Sequence, residues 1–134
     1  MKVFTIGTST RSLEEFLSLL KKHKIGTLID VRRFPTSRFE HFKKENLEKL
    51  EEINYCHLNG LGGYEKHIKS EEFKEAFKRL LRLSEKENAA IMCAERLFFR
   101  CHRRFISNEL VKHGIKVVHI IDEKRIYEHK LRNR

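Results

Sequence analysis

Two short stretches of this 134-residue chain concentrate side chains that can do chemistry. Asp30, Arg32, Arg33 and Arg38 stand in one; Cys93, Glu95, Arg96, Arg100, Cys101, His102, Arg103 and Arg104 stand in the other. Seven Arg fall in these segments with one Asp, one Glu and no Lys, although Lys is plentiful elsewhere. Guanidinium forks grip carboxylate and phosphate through two parallel hydrogen bonds, whereas Lys acts as a mobile point charge. The expectation is an anion-recognition site in which Arg32, Arg38 and Arg103 hold a phosphate or carboxylate, with Asp30 among them. Thr8, Ser9 and Arg11, after the first apolar run, would assist. Removing Arg32 or Arg103 should then abolish anion binding with modest loss of stability. The competing reading is an internal network in which Asp30 and Glu95 neutralise two Arg and the rest meet solvent.

Cys93 closes an apolar run and leads into the Arg-rich loop. A thiol beside several Arg near a helix start has its thiolate favoured and is a candidate nucleophile; equally, a buried Cys packs as a small hydrophobe. Glu95 and His102 are candidate proton-transfer groups, and Cys101 next to His102 is a second focus. Cys93, Cys101 and His102, or Cys56 and His57, contain metal-ligand types, but no CxxC or HxxxH pair is present, so no metal is expected. Neither a GxxxxGK[ST] loop nor a GxGxxG turn occurs, so ATP and NAD have no specific support and no cofactor is expected.

These residues need elements to position them. Val3-Phe4-Thr5-Ile6 reads as a buried strand followed by a turn at Gly7. Ser12 and Glu15 have capping-box spacing, in which each side chain satisfies the other's backbone N–H, and Leu13, Phe16, Leu17 and Leu20 make one apolar stripe up to a stop at Gly26. Thr27–Val31 reads as a second strand, and a helix follows around Lys43–Glu52 with Leu47 and Leu50 inward. Asn54–Leu58 is a weaker strand, and Gly60–Gly63 a loop. Ser70 caps a helix whose buried stripe is Phe73, Ala76, Phe77, Leu80 and Leu81. Ala89–Cys93 is a fourth strand, a helix runs from about Cys101 to His113, and Lys116–Ile121 is a fifth strand. The basic tail after Asp122 reads as loosely helical.

Apolar strands separated by helices predict one α/β domain over residues 1–134: a three-layer α/β/α sandwich with a mostly parallel sheet of about five strands, doubly wound or rhodanese-like. Such sheets bind ligands beyond the carboxyl ends of their strands, at a topological switch point. Both Arg-rich segments follow predicted strands, so they should face one crevice.

Composition bounds the partners. Lys and Arg number 29 against 19 Asp and Glu, and the formal charge is +10. That balance favours an anionic partner, nucleic acid or an anionic small molecule. No apolar run approaches the roughly 18 residues of a membrane span, and Met1–Gly7 is too short for a signal peptide's apolar core. Three Cys are sparse for a stapled secreted domain and suit a reducing cytoplasm. Arg interleaved with Phe34, Phe39, Phe42, Phe98 and Phe99 resembles the pairing used by single-strand binders; a buried Phe98-Phe99 would instead be a lid. Oligomeric state is not legible.

Thr5-Ile6-Gly7-Thr8-Ser9, Asp30-Val31-Arg32 with Pro35 and Ser37-Arg38, Leu58 with Leu61-Gly62-Gly63, and Cys93-Ala94-Glu95 with Cys101-His102-Arg103 together resemble the DUF488 family. The resemblance runs nearly end to end and implies a compact α/β domain with a site at the derived crevice. More distantly, the DVR segment and the Cys after the fourth strand look like the rhodanese-like fold, which implies an anion cradle around a catalytic Cys. Cys93 to Arg100 is one residue longer than the CxxxxxR spacing of related phosphatases, and the loop lacks Gly and contains Glu95. The expected function is thus an anionic-ligand site at the strand ends, with Cys-dependent hydrolase or transferase activity open. The alternative is a non-catalytic nucleic-acid-binding module using the same basic crevice.

Overall fold

The computed structural model describes residues 1–63 and 65–131, without the side chains of Glu65 and Arg100. Its frame is a six-stranded sheet. The strands are β1 (Lys2–Gly7), β2 (Thr27–Asp30), β3 (Asn54–His57), β4 (Ala89–Cys93), β5 (Lys116–Ile120) and β6 (Ile126–Glu128). They lie in the order β3-β2-β4-β1-β5-β6, with all pairs parallel except antiparallel β5 and β6. The helices are α1 (Leu13–Lys22), α2 (Lys44–Leu47), α3 (Glu71–Lys86) and α4 (Arg103–Lys112).

Alternate residues of each strand point to opposite faces, and two cores follow. Phe4, Ile6, Leu28, Ala90, Met92, Val118 and Ile120 pack with Phe16, Leu19 and Leu20 of α1 and with Phe42 and Leu47. Val3, Ile29, Ala89, Ile91, Cys93 and Val117 pack with Phe73, Phe77 and Leu80 of α3 and Ile106 and Leu110 of α4. Both faces are covered, which is why these strands read as nearly continuous apolar runs. The three-layer, mostly parallel α/β architecture agrees with the sequence expectation.

Local departures have local causes. The Ser12 side chain accepts from the Glu15 backbone N–H, but the Glu15 carboxylate turns away to Arg11 Nη1 at 2.8 Å, so the capping box is half made. α2 is a single turn: Lys43 offers no side-chain cap, and the Leu50 N–H bonds to Leu47 in a tighter turn. The Phe98–Arg100 segment is a 3-10 turn. The tail after Asp122, expected as helix, turns back through the Asp122 carboxylate, which accepts from the Lys124 and Arg125 backbone N–H groups. It then pairs as β6 along β5, covering what would otherwise be an open edge.

β1 and β4 are neighbours whose connections leave in opposite directions. β1 runs through α1 to β2 on one side, and β4 runs through α4 to β5 on the other. Gly7 and Cys93 are register partners at this switch point.

Candidate functional site at the switch point

At the C-terminal ends of β1 and β4 the two chains continue as a stitched pair. The Thr8 N–H donates to the Cys93 carbonyl at 2.8 Å, and the Ser9 N–H to that of Ala94 at 2.9 Å, with Ser9 in the left-handed region at φ 47. Gly7 permits this closeness: a Cβ there would lie 1.9 Å from the Glu95 carbonyl oxygen. The backbone donors of Thr8 and Ser9 are therefore committed to the loop after β4.

Beneath that loop Cys93 and Cys101 are paired sulfur to sulfur, both buried. Cys101 precedes α4, and the Arg103 backbone N–H, the first of the helix, donates to Cys101 Sγ at 3.3 Å while Arg103 Nε donates to it at 3.4 Å. The other Arg103 donors reach Thr5 Oγ1 at 3.3 Å, the Glu95 carbonyl at 2.6 Å and the Arg96 carbonyl at 3.4 Å. Arg103 is 1% exposed. Among the described residues no carboxylate lies within ion-pair distance of it. Burial and the nearby Arg11 charge pull its pKa down to about 10, opposed by Glu95. A guanidinium in this position is a charge without a counter-ion, which is costly unless an anion forms beside it.

Behind Arg103 runs a chain of polar side chains. The Thr5 hydroxyl, accepting from Arg103, donates to His119 Nδ1. That leaves His119 Nε2–H to donate to His129 Nδ1 at 2.8 Å, and His129 Nε2–H to donate to Asn108 Oδ1 at 2.6 Å. With Thr5 as the donor to His119, each imidazole accepts at Nδ1 and donates at Nε2, the pattern of two neutral rings. Burial first, then the proximity of His129 and Arg103, holds the His119 pKa far below its ordinary value, and burial lowers that of His129. The Phe98 ring lies flat on His119, with centroids 3.7 Å apart and planes within 1°. Sequence reasoning passed over Thr5, His119, His129 and Asn108. The signal was there: Thr5 and His119 are lone polar residues in aliphatic strand runs, and they are register partners.

The remaining predicted residues divide. Asp30, fully buried, accepts from the Arg32 backbone N–H at 3.0 Å, from Arg32 Nη2 at 2.8 Å and from Tyr55 Oη, and Arg32 Nη1 donates to the Thr36 carbonyl. Arg11 is spent on the Gly7 and Ile121 carbonyls and on Glu15. Arg38 is exposed, its guanidinium 5.0 Å from the centre of the Phe39 ring. The Glu95 side chain is exposed while its carbonyl serves Arg103. His102 is the N-cap residue of α4, with Nε2 buried and without a hydrogen-bond partner among the described residues. Burial, then Arg103, lowers its pKa against a bond to the Val31 backbone, which leaves it a neutral imidazole. The Arg100 side chain lies outside the described structure. Cys56 sits on β3, the far edge strand from this site. No three His, Cys, Asp or Glu side chains converge as a metal site among the described residues.

Fold and site define a mostly parallel α/β protein with a buried cysteine pair at its switch point and, beside it, a buried guanidinium that has no carboxylate within ion-pair distance among the described residues. The model of the family described as Domain of unknown function DUF488 matches residues 12–63 and 63–110, and the chain belongs to that family. No curated protein and no solved structure matches it. No described helix is long and apolar enough to cross a membrane.

Proposed function

We propose that this protein works through a cysteine nucleophile at the switch point, and that Cys101 rather than Cys93 is the charged sulfur when the pair is reduced. The carrying observation is Arg103, buried with no carboxylate within ion-pair distance among the described residues and directing two N–H groups at Cys101 Sγ. Donors to a sulfur favour its thiolate, and the start of a ten-residue helix adds to this. Cys93 Sγ instead lies 3.9 Å from the Glu95 carbonyl oxygen, an acceptor, which favours its protonated form.

Site-resolved alkylation of the fully reduced protein against pH tests this reading. Cys101 should react with a midpoint clearly below the unperturbed value of about 8.5, and Arg103→Gln should raise that midpoint while Arg103→Lys largely retains it. A Cys101 midpoint at or above the ordinary value overturns the assignment.

One observation favours nucleic-acid contact as well: Phe34 is 79% exposed, flanked in the loop after β2 by exposed Arg33 and Arg38. Binding to a single-stranded oligonucleotide that weakens steeply with salt, and is lost in Phe34→Ala, would support that reading.

A further inference from the structure

We infer that Cys93 and Cys101 form a two-electron dithiol–disulfide couple whose reaction partners are small disulfides and thiols. This rests on the assignment of Cys101 as the charged sulfur. The two sulfurs are already in contact, buried beneath a loop whose residues Ala94, Glu95 and Arg96 are exposed. In the joined state the hydrogen-bond acceptors of Arg103 among the described residues are neutral: two carbonyls, one hydroxyl and the sulfur. Reduction places a negative charge on the atom that Arg103 already points to, so this environment favours the reduced form and makes the disulfide easily opened.

The cycle balances. In the reduced protein the Cys101 thiolate attacks a disulfide R–S–S–R, forming Cys101–S–S–R and releasing one RS⁻, which takes a proton. Cys93 then loses its proton and attacks Cys101 Sγ, forming the Cys93–Cys101 bond and expelling the second RS⁻. Two electrons pass from the dithiol to the disulfide, and two RSH leave. The reverse cycle, with a thiol as reductant, regenerates the dithiol.

Equilibration of the full chain in buffers of reduced and oxidised glutathione, followed by acid quench, alkylation and site-resolved mass spectrometry, tests the couple. Cys93 and Cys101 should lose and regain their thiols together in one step, in the native protein and in Cys56→Ser alike. Cys93→Ser should trap one glutathione on Cys101, whereas Cys101→Ser should leave Cys93 largely unmodified. Arg103→Gln should require a reduced-to-oxidised ratio about tenfold or more higher for half reduction, the fold-change equivalent of losing a hydrogen bond to a charged group. Arg103→Lys keeps the charge and should shift it less. The couple is overturned if the two thiols titrate independently, if they stay reduced at every ratio, or if glutathione collects on Cys93 instead. A low alkylation midpoint at Cys101 with no joint oxidation would sink the couple and leave the nucleophile assignment standing. A normal midpoint would remove the nucleophile assignment itself.

Discussion

Arg32 shows how a residue chosen for its chemistry can be spent on structure. Read along the chain, it belongs to an anion grip whose loss should cost little stability. In the fold it is clasped to Asp30, a fully buried carboxylate that also takes the Tyr55 hydroxyl. Arg32→Ala leaves that carboxylate without its charge partner, and breaking a buried pair from one side typically costs about 3–5 kcal/mol. Urea unfolding should therefore show a large drop in midpoint, where a solvent-facing anion grip predicts almost none. Arg103 differs in one respect: among the described residues no carboxylate lies within ion-pair distance of it, and its donors reach a sulfur, a hydroxyl and two carbonyls.

Among the elements, the segment from Ala94 to Arg100 links Cys93 to Cys101. Phe98 anchors it by lying on His119 and 5.5 Å from the Tyr127 ring, while Phe99 is half exposed. The segment's ring contacts among the described residues all pass through Phe98, to His119, Tyr127, His129 and Phe99, so removing that side chain should loosen the segment while its backbone bonds to Ser9 and Arg103 remain. Phe98→Ala should speed alkylation of reduced Cys101 at fixed pH by several-fold without moving its pH midpoint. Unchanged rates would mean that access runs by another route. The Tyr127 partner of this segment is supplied by β6, the element read as helix from its basic composition. Ile126, Tyr127 and Glu128 are all exposed, so no apolar periodicity announced them; β5 supplied the ladder, and tertiary context outweighed propensity.

At the scale of the whole molecule, the neutral His119–His129 chain ties the last strands to β1 and should make stability depend on pH. Both pKa values are lowered on folding, so the unfolded chain binds more protons once pH falls below about 6.5, the ordinary value. Stability is then fully present above that pH and is lost progressively below it, by up to about 1.4 kcal/mol per pH unit for each histidine. Urea midpoints between pH 7 and 5 should fall accordingly, and His119→Gln should flatten the slope by about one proton. A slope unchanged in His119→Gln would show that the chain is not what titrates.

Much of this protein is written in local pattern. The α1 stripe with its Ser12 cap, the Ser70 cap of α3, and the apolar runs of β1, β2, β4 and β5 all follow from nearest-neighbour chemistry and side-chain periodicity. So does the placing of Cys93 at the end of β4 and of Cys101 and Arg103 at the start of α4. Which of several neighbouring guanidiniums would close on a carboxylate could not be read there, because more than one Arg lies within reach of Asp30 or Glu95 along the chain and the folded path of each loop decides between them. Only the tertiary structure placed Asp30 against Arg32, gave Arg11 to Glu15 and two carbonyls, and left Arg103 facing sulfur. The same holds for Thr5 and His119: 114 residues apart, they meet because parallel strands bring distant positions into register, and burial then obliges them to hydrogen-bond.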